Sequence, residues 1–219
     1  MARDHLDVGV IGLGKFGLSI AQTLKKLGHS VVGVDSNDTR IELAQDILND
    51  VYKADATNLS VLRSLHFQEM DYAVVSVGHS VEHSLSITLN LQDLGLNRIW
   101  VKASNDEHRK ILQRLGVERA ILPEVDAAFV TAHQMVHPGM LDLIPKYGGI
   151  AIQELVVDKW DGQTLMGLNL MREHTVIVLG IRETGEEDVH FVPSPHTRLN
   201  KGDTLVVVGK QTDIAALRS

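Results

Sequence analysis

Between residues 8 and 122, short apolar runs alternate with amphipathic segments. "VGVIGL", "SVVGVD", "VYKAD", "YAVVSVG", "RIWVKA" and "RAIL" are four to seven residues long and mostly β-rich, the composition and length of strands. Between them apolar residues return every three or four positions, as in "LSIAQTLKKLG", which is the spacing of a helix with one buried face. Six strands in this rhythm predict an α/β fold with a Rossmann-type, doubly wound parallel sheet. Three of the intervening helices end alike, in "LKKLG" (24–28), "LQDLG" (91–95) and "LQRLG" (112–116), each ahead of a strand. Glycine just past a helix can take the left-handed conformation that closes its C-terminus, so the shared ending is a geometric device and not a repeat.

Pro123 stops the sixth strand. "EVDAAFVTAHQMV" follows with apolar residues at Val125, Ala128, Phe129, Ala132 and Val136, predicting a helix that exits the sheet. "HPGM" and "PKYGG" punctuate the next stretch. From Ile150 onward the strands "AIQELVVD", "TVIVLGI", "VHFV" and "TLVVVG" lie close together, with one short helix near 165–171. Close spacing favours hairpins and an antiparallel sheet, so residues 135–219 are expected to form a small α+β domain after a nucleotide-binding domain at 1–134.

A chain of 219 residues is long enough for one full domain of roughly 100–150 residues and a smaller one. With 44% hydrophobic and 22% charged residues it can bury a core and stay soluble. A net charge of -7 opposes the counterion release that drives nucleic-acid binding, and no local Lys/Arg cluster offsets it, so nucleic acid is not expected as a partner. Cysteine is absent, which excludes disulfides and thiolate chemistry and suits a reducing cytoplasm. The early first strand leaves no room for a secretory leader, and no apolar run approaches the roughly 20 residues of a membrane span. Any membrane role is expected to act through a partner.

The candidate chemistry begins at "VIGLGKFG" (10–17). Gly12, Gly14 and Gly17 form G-x-G-x-x-G between a strand and an amphipathic helix, the context in which the motif carries weight. The first glycine serves the tight turn, the second admits a pyrophosphate to the backbone, and the third lets helix and strand pack closely. Asp35 ends the second strand, 18 residues after Gly17, where an acid can accept hydrogen bonds from ribose hydroxyls and repel a 2′-phosphate. An adenine nucleotide or dinucleotide other than NADP is therefore expected. Lys15 is either a solvated lysine or a point charge on a terminal phosphate. Asp55 and Thr57 in "ADAT" either reach the adenine or cap the next helix. Gly78 ends the fourth strand on the ligand-binding edge of the sheet.

Other chemistry is sparse. His79 with His83, and His133 with His137, have i,i+4 spacing but no acidic ligands in a recognised zinc pattern. No nucleophile elbow, Walker motif or substrate domain for hydride transfer is visible. A soluble NAD-dependent oxidoreductase is the alternative from another class, and the C-terminal strands offer it no convincing catalytic base.

With the glycine loop, Asp35, "ADAT", "IWVKA", "LPE" and "LNKGDTLVVVG" in order, the chain resembles the RCK family, regulators of potassium conductance, and is most similar to its KtrA/TrkA-type members. The resemblance covers essentially the whole chain, an RCK N-terminal domain to about residue 134 and an RCK C-terminal domain after it. It implies a non-enzymatic, cytoplasmic regulatory subunit, peripheral on the inner face of the membrane. Such a subunit binds ATP, ADP or NAD(H), forms homodimers and an octameric ring, and docks on a potassium-translocating subunit of KtrB/TrkH type. By the same resemblance the nucleotide contacts fall on Gly12, Gly14, Lys15, Phe16, Gly17, Asp35, Ser36, Asn37, Asp55, Ala56, Thr57, Gly78, Lys102, Ala103, Ser104 and His108. Glu124, in "LPE", falls where some relatives place a Mg²⁺ or Ca²⁺ ligand between two nucleotides; otherwise it is an acid favoured by a helix N-terminus. RCK C-terminal domains of this type can also bind cyclic di-AMP. KtrA-type loops commonly carry Arg where this chain has Lys15, and an ammonium lacks the bidentate fork of a guanidinium, which adds weight to NAD(H) or ADP.

Overall fold

The computed structural model describes residues 5–78, 80–144 and 149–217, with the backbone alone at 143 and 144. The chain divides into two compact units, Met1–Pro123 and Glu124–Ser219. That division falls at the start of the exit helix, ahead of the 134/135 boundary read from the sequence.

In the first unit the elements run β1 (Asp7–Ile11), α1 (Lys15–Lys26), β2 (Ser30–Asp35), α2 (Asp38–Gln45), β3 (Asp50–Lys53) and α3 (Leu59–Ser64). A 3₁₀ turn at Phe67–Glu69 leads to β4 (Tyr72–Val75), α4 (Val81–Asp93), β5 (Ile99–Lys102), α5 (Asp106–Arg114) and β6 (Arg119–Ile121). The sheet order is β3-β2-β1-β4-β5-β6 and every pairing is parallel. Alternation along the central strands explains both layers. Val8, Val10 and Val74 enter one core with Ala21 of α1 and Ile41 and Ala44 of α2. Ile11, Ala73 and Val75 enter the other with Leu62 of α3, Ile87 and Leu91 of α4 and Leu112 of α5. Strands covered on both faces must be apolar throughout, which is why these runs read as continuous Val/Ile. The chain reverses its winding between β1 and β4, so the carboxyl ends of these strands frame a crevice.

The shared Leu-Gly endings perform one function. Gly28, Gly95 and Gly116 have φ of 88°, 86° and 78°. In each, the glycine N–H and that of the next residue bond back to the last helical turn: Gly28 to Lys25 O and His29 to Leu24 O, Gly95 to Gln92 O and Leu96 to Leu91 O, Gly116 to Gln113 O and Val117 to Leu112 O. This double closure turns the chain directly into the next strand.

Helix α6 (Pro123–Val136) starts at the last residue of the first unit and belongs from Glu124 onward to the second, which continues β7 (Met140–Ile144), β8 (Ile150–Val156), α7 (Leu165–Leu168), α8 (Leu170–His174), β9 (Ile177–Arg182), β10 (His190–Phe191), β11 (Thr204–Lys210) and α9 (Gln211–Ala216). Its sheet, β10-β9-β11-β8-β7, is antiparallel throughout. Ala151 and Leu155 of β8, Leu205 and Val207 of β11, Leu168, Leu170 and Ile214 share one core. The single short helix expected near 165–171 is two, because Asn169 breaks it with φ of 46°. Strand β7 and helix α9 have no counterpart in the sequence reading. "PKYGG" lies outside the described residues apart from Gly149. No helix among the described residues is long and apolar enough to cross a membrane.

Candidate functional site

The turn from β1 into α1 is shaped by backbone contacts. Gly12 has φ of 91°, and a Cβ there would come within 2.6 Å of the Ser76 carbonyl oxygen. A Cβ on Gly17 would overlap the carbonyl oxygen of Gly12, so only hydrogen lets α1 close on its own turn. Gly14 differs: it caps α1 with extended backbone, and a Cβ there would meet nothing within 4 Å. The second glycine satisfies no packing need inside the chain and leaves open space at a helix N-terminus, where an anion is favoured.

Asp35 ties this turn to the end of β2. Its Oδ2 accepts from the Leu13 N–H at 2.7 Å, its Oδ1 from the Asn37 N–H at 2.9 Å. Arg40 donates to Oδ2 at 3.3 Å. Asn37 in turn caps α2, its side chain accepting from the Arg40 N–H at 3.1 Å. The acid expected to meet ribose is thus also a scaffold for the glycine turn.

A cavity of about 180 Å³ opens beside it, lined by Gly12, Asp35, Ser36, Asp55, Ala56 and Thr57 together with apolar Ile11, Val34 and Ile87. Six of the residues named from the sequence therefore converge at the carboxyl edge of β1 to β3. Arg40, Ser80 and His83 also line it and were missed as nucleotide contacts. The signal that could have found Arg40 and His83 is positional: each lies three residues after the N-cap of a helix starting at this edge, Asn37 for α2 and Ser80 for α4. Side chains in the first turn lean back over the helix N-terminus.

Asp55 and Thr57 do not cap α3; Asn58 does, its side chain accepting from Ser60 N–H at 3.0 Å. Instead Thr57 donates both its hydroxyl, at 2.7 Å, and its amide, at 3.0 Å, to Asp55 Oδ1. These two bonds, the hydroxyl foremost, hold the Asp55 carboxyl below its ordinary value of 3.8. Asn90 of α4 secures the loop from behind, donating to Thr57 O at 2.8 Å.

The remaining named residues do not line the cavity. Lys15 is exposed at the first position of α1, and Lys102 at the end of β5 places its ammonium 5.6 Å from the centre of the Phe16 ring. Gly78 is exposed in the loop after β4. Ala103 is buried, its N–H bonded to Ile121 O at 2.8 Å. His108 is 1% exposed. Its Nδ1 accepts from the Ser104 N–H at 3.2 Å, which assigns the ring proton to Nε2, and burial pushes the imidazole below its ordinary value. Ser104 and His108 thus fasten the β5–α5 loop. Glu124 stands exposed in the first turn of α6.

Metal binding receives no support from one chain. Among the described residues no three His, Cys, Asp or Glu side chains group to hold a cation, so Glu124 by itself supplies a single carboxylate. His133 of α6 and His137, just past the end of that helix, stack at 5.8 Å, and His79 lies outside the described residues.

Known proteins match this arrangement along nearly its whole length. The TrkA-N domain model matches residues 8–123 and the TrkA-C domain model residues 152–219. Ktr system potassium uptake protein A of Bacillus subtilis (strain 168) is 32% identical over 206 residues, 94% of this chain and 92% of that protein. Ktr system potassium uptake protein A of Vibrio alginolyticus is 32% identical over 216 residues, 98% of this chain and 97% of that one. A solved structure of the GsuK channel bound to NAD shares the fold, with a TM-score of 0.56 and 18% identity over 100% of this chain and 39% of that one. With a domain model on each unit and relatives matched almost end to end, the chain belongs to the RCK family, in its KtrA/TrkA-type branch.

Proposed function

We propose that this chain is a regulatory subunit that binds an adenine nucleotide in the cleft at the carboxyl edge of the first sheet and thereby sets the activity of a membrane potassium-translocating partner. The observation that carries the reading is the cleft itself, in which a glycine turn with open space at Gly14 adjoins a cavity holding Asp35 and Asp55. Gly14 and the N-terminus of α1 are suited to phosphate, with Lys15 as a neighbouring charge. Asp55 Oδ2 and the spare lone pair of Asp35 Oδ1 are suited to the hydroxyl and amino donors of a nucleoside. NAD in a GsuK structure of the same fold, and potassium uptake in the names of the Ktr relatives, support the ligand and partner classes. Homodimers assembled into an octameric ring would carry the signal. A nucleotide biases such a ring only by binding one of its arrangements more tightly than the other.

Calorimetric titration with ATP, ADP, NAD and NADH tests the first half of this reading. At least one should bind, and Gly14→Ala, whose methyl occupies the phosphate space, should weaken it at least tenfold. Binding by none of the four would overturn the nucleotide assignment. The second half is read from potassium uptake in cells expressing the membrane subunit with or without this chain. Equal uptake in both would overturn the regulatory role.

A further inference from the structure

The α1 side of the first sheet is covered over β1 and its neighbours, where Val8, Val10 and Val74 pack with Ala21 of α1 and Ile41 and Ala44 of α2. Outward from α1 the same face bears Tyr72 of β4, Trp100 of β5 and Arg119 of β6, with Val74, Trp100 and Arg119 in register. The Tyr72 and Trp100 rings meet edge to face at 6.3 Å. Arg98 lies 5.2 Å from the centre of the Tyr72 ring, and Arg119 5.0 Å from that of Trp100. Both arginines are exposed, and neither is in an ion pair among the described residues. A guanidinium stacked on a ring is already restrained, so it loses less freedom when it takes a partner. Trp, Tyr and Arg are also the residue types that carry most of the binding energy in protein interfaces. A neutral partner would cover two cations without offering them a counter-charge, so this surface selects carboxylates.

The chain carries the complement. The loop from β9 to β10 contains "ETGEED" (183–188), in which Glu183, Glu186, Glu187 and Asp188 are exposed and in no ion pair among the described residues. Its backbone is held in shape: Thr184 donates its amide at 3.0 Å and its hydroxyl at 3.2 Å to Asp203 Oδ1, and the Glu186 N–H bonds to Glu183 O at 3.1 Å. Two copies of a chain with a net charge of -7 repel one another unless a local match offsets the repulsion.

We propose that the surface formed by Arg98, Tyr72, Trp100 and Arg119 is a docking site for the acidic β9–β10 loop of a second copy of this chain. The guanidiniums take loop carboxylates, and the two rings supply the apolar floor beneath them. Because the two surfaces differ, the contact closes either by reciprocal exchange between two copies or around a ring. It gives the assembly invoked above a surface and does not depend on the nucleotide assignment.

The test is analytical ultracentrifugation of the full-length chain without nucleotide, over a range of concentrations, at low and at high salt. Self-association of the unaltered chain should weaken as salt rises, and a monomer throughout, or association indifferent to salt, would overturn the contact. Two charge-reversed chains then locate it, Arg98→Glu with Arg119→Glu on the face and Glu186→Arg with Glu187→Arg on the loop. Each alone should associate about tenfold more weakly or worse, since attraction is replaced by repulsion. Mixed, they should associate again, because the reversed loop of one chain meets the reversed face of the other. That recovery shows that both chains are folded and that the contact runs between molecules. Undiminished association of either variant alone, or no recovery between two variants that keep the melting midpoint of the unaltered chain, would overturn the proposal. Since no nucleotide is present, a failure of nucleotide binding would leave these outcomes unchanged.

Discussion

Replacing Asp35 by Asn asks whether the acid at the end of β2 is first of all a scaffold. Its side chain is 5% exposed, with Oδ2 taking the Leu13 N–H and Arg40 and Oδ1 taking the Asn37 N–H. Asparagine keeps the shape but turns one acceptor into a donor. Either the Leu13 or the Asn37 amide then faces an NH₂ group, and Arg40 loses its charged partner. Hydrogen bonds to a charged group contribute about 1.5–3 kcal/mol each, so one lost and another weakened should destabilise the first unit by about 2–4 kcal/mol. That is a large part of the roughly 5–15 kcal/mol that holds a domain folded. Trp100 lies in the first unit and Trp160 in the second, so fluorescence in a Trp160→Phe background follows the unit that carries Asp35. Its urea midpoint should fall with the slope unchanged, and the glycine turn should bind nucleotide more weakly even where the unit remains folded. A loss below about 0.5 kcal/mol would mean that water replaces the lost acceptor, and would refute the scaffold reasoning.

Three further outcomes follow from the same contacts. Gly17→Ala should cost about 3 kcal/mol or more because its methyl meets the Gly12 carbonyl, whereas Gly14→Ala should cost at most about 1 kcal/mol, and comparing their melting midpoints checks the contrast. Burial lowers the His108 pKa, so its neutral ring contributes stability that is complete above about pH 6.5 and lost as the pH falls toward the lowered folded value; His108→Gln should flatten that part of the stability–pH curve. Asp203, 1% exposed, accepts from the Thr184 amide at 3.0 Å and from the Asn200 amide at 2.8 Å, so Asp203→Ala should destabilise the second unit by about 2–4 kcal/mol, read from Trp160 fluorescence in a Trp100→Phe background.

The strand pattern was legible because its cause is local to each run. A strand covered on both faces must be apolar at every position, and Val8 to Ile11 and Ala73 to Val75 show it without reference to the rest of the chain. The Leu-Gly endings were legible for a similar reason, since a left-handed closure strongly favours glycine. Strand β7 was not. "MLDLI" is short and begins on the last residue of "HPGM", and its extended state is set by pairing with β8, Met140 opposite Gln153 and Asp142 opposite Ile152. The break at Asn169 escaped notice because asparagine enters the left-handed region only where its surroundings favour it.

Within the site the same division holds. The glycine spacing and the position of Asp35 determined, from the sequence alone, a tight glycine turn at the carboxyl edge of a parallel sheet, since backbone geometry restricts which residues can stand there. The tertiary structure decided what those residues are free to do. It committed Asp35 to Leu13, Asn37 and Arg40, buried His108 behind Ser104, and brought Arg40 and His83 into the cavity from two helices. Side-chain partners are fixed by where helices dock on the sheet, and docking depends on contacts between residues far apart in the chain, which no local pattern of apolar and polar positions records.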